Sequence, residues 1–322
     1  MDKFAVKANK AAESLGKSTL DYTKAALTYY QQGLSDDEVA ARTEVTMKAS
    51  NVTGQSTDDV AEQLTAVWNG FKVAAEDTEE YVDKLAAVGA ATASDLEELS
   101  TGMAKVASGA ASMGVNIDQL TASLATIVST TRQDASSVGT ALKTIYSRIA
   151  DIKAGSDDAE ASLGNYSGKM AELGFNVLDS EGKMRDLGEV MEEIGNGWSN
   201  LSREQQIYLA QTMAGTRQYN NLIALFDNWE QYQSALNVSQ KAAGTLQQQQ
   251  NVYLESTTAH INELNTAWDS LYNSTLDADT INAVTDGLKV LVKLTDNWIQ
   301  SIGGGKGALL NLGAIATNVF SK

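Results

Sequence analysis

The run Gly16-Lys17-Ser18-Thr19 reads like the end of a phosphate-binding loop, where a lysine would reach a phosphate and a hydroxyl its magnesium ion. Ala11 stands where the first glycine of that loop belongs, and helix-forming residues, not a strand, precede it. Lys17 therefore reads as a solvated helix residue. His260 is the single histidine, with Glu255 and Glu263 beside it, yet the zinc motif His-Glu-x-x-His needs a second imidazole. It reads as a solvated or interface histidine. Cysteine is absent, which removes disulfides and thiolate ligands, and a nucleophilic triad would lack parts.

Asp179-Ser180-Glu181-Gly182 lacks the alternating ligands and distal Glu of a calcium loop and reads as a turn. Asp58, Asp59, Glu97 and Asp134 fall where helices begin, which gives each a helix-terminal reason to be acidic. Trp68, Trp198, Trp229, Trp268 and Trp298 sit mostly on apolar stripes, as core residues do. The expectation is that no residue forms a catalytic, cofactor-binding or metal site, and that the protein is not an enzyme.

The elements that carry these residues are helical. At average usage of about 5% proline, a chain of 322 residues should hold roughly sixteen, and this one has none. Period-two runs of β-branched and aromatic residues are nearly absent. The fold class expected is all-α, with short amphipathic helices packed as an antiparallel bundle and longer helices toward the C-terminus.

Residues 94–152 show the pattern most clearly. Leu96, Leu99, Met103, Val106, Ala110 and Met113 recur at steps of three and four, so one helix stripe carries all six. Ser94 with Glu97 reads as a capping box, and Gly114 as the left-handed exit. Ile117, Leu120, Leu124 and Ile127 form a second stripe behind Asn116 and Gln119; Val138, Leu142, Ile145, Ile149 and Ile152 form a third. Gly139 and Ala141 lie in that third helix, where small residues let a neighbour approach closely.

Four segments follow from the breaks. Residues 1–155 form a helical bundle, opening with one helix over 4–32 that Gly33 ends. Residues 156–240 hold helices and one small β-hairpin near 177–185, where the period changes around the Asp179 turn. The Ser202 and Gln205 pair caps a helix there, and Gly215 is a break. Residues 241–302 read as long helices, the last carrying Ile281, Val284, Leu288, Leu291, Trp298 and Ile302. Residues 303–322 are a Gly-rich breaker and an apolar tail; 308–320 is too short to span a bilayer, which takes about 20 residues, and membrane contact is open only to that region or to C-terminal sequence beyond the chain.

Charge narrows the function. With 24 Lys and Arg against 41 Asp and Glu the net charge is −17, so the average field opposes a phosphate backbone and direct nucleic-acid binding is not expected. The first ten residues lack the apolar region of a signal peptide.

The ordered set Met113-Gly-Val-Asn-Ile-Asp-Gln119, Gly139-Thr-Ala-Leu142, Glu172-Leu-Gly-Phe-Asn-Val177 and Asp179-Ser-Glu-Gly-Lys-Met-Arg-Asp-Leu187 resembles the core region of bacteriophage tail tape measure proteins. The resemblance covers roughly residues 35–240, which makes 1–155 and 156–240 two parts of that core. It implies a structural role in tail assembly, tail length determination and DNA ejection from the lumen of the tail tube. It implies as partners the tube protein, tail assembly chaperones, tail tip or baseplate proteins and further copies of the chain. The implied location is the virion tail, after assembly in the host cytoplasm. Members are usually longer, so the chain reads as a fragment or a truncated prophage copy. The alternative is a helical signalling protein or a secreted effector or adhesin; sustained coiled-coil heptads without glycine would favour it, and the repeated glycine breaks do not.

Overall fold

The computed structural model describes residues 3–154 and 167–273. They form thirteen numbered α-helices: α1 (Lys3–Ser14), α2 (Thr19–Gln31), α3 (Asp36–Thr53), α4 (Thr57–Phe71), α5 (Thr78–Ala91), α6 (Leu96–Ser112), α7 (Ile117–Thr131), α8 (Ala135–Ala154), α9 (Leu187–Gly197), α10 (Arg203–Asp227), α11 (Trp229–Gln240), α12 (Thr245–Leu254) and α13 (Thr257–Asn273). Residues 167–172 are also helical. No strand occurs among the described residues, so the chain is all-α there. No described helix is long and apolar enough to cross a membrane.

The chain divides into two compact units, Val52–Gln247 on one side and the residues up to Asn51 with those from Gln248 on the other. In the divided unit, α1 packs on α2 and α13. Tyr22, Ala25, Ala26 and Tyr29 are the buried face of α2, and the Tyr29 hydroxyl lies 2.6 Å from Thr46 Oγ1 on α3. The expected single helix over 4–32 is two. Gly16 takes φ 66°, the left-handed region that glycine enters at little cost, and the Lys17 N–H turns back to the Ala12 carbonyl at 2.9 Å. Ser18 then starts α2 by accepting the Asp21 N–H at 3.1 Å.

In the continuous unit, α6 packs on both α4 and α8, while α7 touches α5, α6, α8, α10 and α11. Most of each predicted stripe is buried: Leu96, Leu99, Met103, Val106 and Ala110 on α6, Ile117, Leu120, Leu124 and Ile127 on α7, Val138, Leu142, Ile145 and Ile149 on α8; Met113 is half-buried, and the Ile152 side chain lies outside the described residues. Enclosure of α7 also buries Thr121, Ser123 and Thr126. Each hydroxyl donates to the carbonyl four residues back, at 2.7 to 2.8 Å, so the helix satisfies them itself. Asn116 with Gln119, and Ser202 with Gln205, are complete capping boxes. The start of α6 differs: Asp95, not Ser94, accepts the Glu98 N–H at 2.8 Å, and Ser94 Oγ instead pairs with Thr92 Oγ1 at 2.7 Å.

One expectation about architecture is corrected. The β-hairpin near 177–185 reduces to one antiparallel bridge, Leu178 with Met184. Asp179 Oδ1 accepts the N–H groups of both Glu181 and Lys183, at 2.9 and 2.8 Å, which curls the turn on itself. Arg185 is then drawn onto Glu193 at 2.6 Å, and α9 begins at Leu187, leaving too few residues to extend a ladder. The expectation of long helices over 241–302 is described only in part: α12 has 10 residues, and α13 runs to Asn273, where the described residues end; α10, with 25 residues, is kinked at Gly215. Ser256 separates α12 from α13, its N–H bonded to Tyr253 O and its hydroxyl accepting the Ala259 N–H. The expected helix over 281–302 and the 303–322 tail lie outside the described residues.

Candidate functional site

The core of the continuous unit is built on helices that meet at their backbones. Gly139 on α8 faces Gly102 on α6: a Cβ at Gly139 would run into the Gly102 carbonyl, with its carbon at 2.9 Å. A Cβ at Gly102 would meet Leu124 Cδ2 of α7 at 2.7 Å and the Ala135 carbonyl oxygen at 2.8 Å. On the other side of α6, a Cβ at Gly70 of α4 would stand 2.7 Å from the Ser108 N and 2.8 Å from the Ala107 Cβ. Three helices therefore touch where side chains are missing, and large side chains fill the space on either side of each crossing.

Charge is set into this core at one place. Asp83 and Lys84, neighbours on α5, are 4% and 9% exposed. Asp83 accepts the backbone N–H of Gly244 and of Leu246, both at 2.7 Å, one per carboxylate oxygen. Lys84 donates to Asp118 Oδ1 of α7 at 3.0 Å and lies 3.4 Å from Glu80, one turn earlier on α5. The same Asp118 oxygen accepts the Ser239 hydroxyl of α11 at 2.6 Å. Asp83 is bonded at both oxygens and Asp118 at Oδ1, so the cluster joins α5, α7, α11 and the start of α12.

Next to it, Trp198, Phe226, Trp229 and Tyr232 form a row, with ring centroids 4.9, 5.9 and 4.1 Å apart in succession. Gly195 on α9 leaves room for the Trp229 indole, which a Cβ would strike. Trp198 Nε1 donates to Asp227 at 2.7 Å and Trp229 Nε1 to Asn196 at 2.9 Å, so both indoles pack and are satisfied. Burial, then the nearby Glu192, pushes the Tyr232 phenol up.

The residues singled out in the sequence are not brought together. Lys17 is half-buried in the α1–α2 connection, correcting the solvated helix residue expected. Its Nζ donates to Ser50 Oγ at 2.9 Å, and burial lowers its pKa against the pull of Asp21. His260 lies half-buried on α13, where its charge opposes the upward push of burial on Glu263. Asp58, Asp59 and Glu97 stand in first turns, and Asp134 accepts the Ser137 N–H at 2.9 Å. Trp68 and Trp198 are buried at 0% and 4% exposure, Trp229 is half-buried, and the side chains of Trp268 and Trp298 lie outside the described residues. Among the described residues no cluster of His, Asp or Glu is placed to hold a metal ion. Sequence reasoning missed Asp83, Lys84, Asp118 and Ser239 as a cluster. It also missed Gly102, whose signal was a glycine inside an apolar stripe with no cap beside it.

Glycine-crossed helices tied by buried, hydrogen-bonded charges define an all-α fold among the described residues. Residues 7–215 match the phage-related minor tail protein family, and the chain belongs to that family. No solved structure matches it.

Proposed function

We propose that within the phage tail this chain is the tape measure, or a part of it: a structural component that sets tail length and guides tail assembly, with no turnover. The observation that carries this reading is the family match over 7–215, which encloses all four of the ordered pieces resembling tape measure proteins. The proline-free helical chain supports it, because a ruler made of helix has a length fixed by residue number, ~1.5 Å each where the helix is extended. In this role residues 1–155 and 156–240 act as core and 241–302 as a stretch that contributes length.

The partners are the tube protein, tail assembly chaperones, tip or baseplate proteins and other copies of the chain, met first in the host cytoplasm and then in the tube lumen. The net charge of −17 suits a component that leaves ahead of DNA, since like charge discourages adhesion within the roughly 10 Å that 0.1 M salt permits. The test is an in-frame deletion of about 20 residues within 94–152. It removes a packed helix of the core, so tails should fail to assemble; normal tails and normal infectivity from that phage would overturn the core assignment.

A further inference from the structure

Helix α11 is held differently from its neighbours. Three of its twelve residues are buried, Tyr232, Ala235 and Ser239, against eleven of the fifteen in α7. It packs on α5 and α7 and barely on α10, from which Asn228 separates it with φ −114° and ψ 38°. At the far end Gly244 has φ 81° with nothing within 4 Å of where its Cβ would be. Beyond the helix Ala242 and Leu246 are also buried, so five of the eighteen residues over 229–246 are, and polar ties close the segment. Ser239 donates to Asp118, Gln231 donates to Ser129 at 2.6 Å, and the Gly244 and Leu246 N–H groups go to the two oxygens of Asp83. Two of the acceptors are carboxylates, whose hydrogen bonds are the stronger kind. Segments with few buried apolar contacts are the ones that open separately from a core.

We propose that residues 229–246 are a detachable strap, clasped over α5 and α7 by Asp83 and Asp118, that opens while α6, α7 and α8 stay folded. It hinges at Asn228. Asp83 is the principal clasp, because it alone receives two backbone donors, and tension on the chain beyond residue 246 loads that carboxylate first. The inference does not depend on the tape measure reading.

Hydrogen exchange of the full chain tests it. In Asp83→Asn an amide nitrogen replaces one acceptor and faces a backbone N–H. Amides of 229–246 should then exchange roughly ten- to a hundredfold faster, the loss expected for a hydrogen bond to a charged group, with α6, α7 and α8 unchanged. Ser239→Ala removes one hydroxyl donor to the Asp118 carboxylate at almost no volume and should accelerate the same amides at least about tenfold, which keeps the test open if Asp83→Asn fails to fold. Equal acceleration of α6, α7 and α8 would show a single cooperative unit and overturn the strap. So would unchanged exchange in 229–246 in both variants.

Discussion

Gly139 on α8 is seated on the backbone of Gly102 on α6, so that a methyl group on the first has no room beside the carbonyl of the second. Ala is the better helix former, by about 1 kcal/mol in an open helix. At this position the sign should reverse. Gly139→Ala is expected to destabilise by about 1 to 3 kcal/mol through overpacking against backbone, and Gly139→Leu by at least as much. Gly109, also inside a helix but with nothing within 4 Å of its Cβ position, is the control. Gly109→Ala should stabilise by about 0.5 to 1 kcal/mol. Thermal unfolding of the two Ala variants checks the pair, and a Gly139→Ala protein as stable as Gly109→Ala would remove the crossing from the account.

Lys84 and Asp118 have side chains 11% and 19% exposed, between a surface pair and a sealed one. Breaking the pair from one side should cost more than a surface ion pair does. Lys84→Met is expected to destabilise by about 2 to 4 kcal/mol, since Asp118 is left with the Ser239 hydroxyl as its remaining fixed donor. Adding Asp118→Leu should recover part of the loss, because the stranded charge goes with it. Denaturant unfolding of the single and double variants measures the coupling; losses that simply add would mean that the two residues act apart.

Burial holds the Glu263 carboxyl above its ordinary value of 4.5, with His260 opposing and Glu13 assisting. A raised folded pKa means that the native state binds the proton more tightly than the unfolded chain. The stability it contributes is therefore complete below the unfolded pKa and lost as pH rises through the folded one. Glu263→Gln, which stays neutral, should raise the melting temperature near pH 7 and bring no gain below about pH 4. A gain that grew as pH fell would have the wrong sign.

The parts of the fold legible in the sequence are those decided within one or two helical turns. Asn116 with Gln119 and Ser202 with Gln205 cap as their spacing required, and most of each stripe on α6, α7 and α8 is buried. Where two cap residues stand side by side, at Ser94 and Asp95, the carboxylate took the helix and the hydroxyl paired with Thr92. The hairpin was misread because the residues marking its turn also supply a side chain, Asp179, that captures the N–H groups around it. That Gly139 needs a close neighbour was visible; that the neighbour is Gly102 was not. The Asp83 clasp joins residues 161 and 163 positions apart, and in a chain with 41 acidic residues no local pattern distinguishes that carboxylate from the others.

The central claim is that residue number in this chain sets tail length. It is tested most directly by imaging tails from phage whose copy of the gene lacks about 20 residues between Gln247 and Leu271. In the described fold that stretch is two helices broken at Ser256; in the tail it is proposed to serve as extended helix. The account predicts tails about 30 Å shorter than those of the parent phage, at ~1.5 Å per residue. Tails of unchanged length would contradict it.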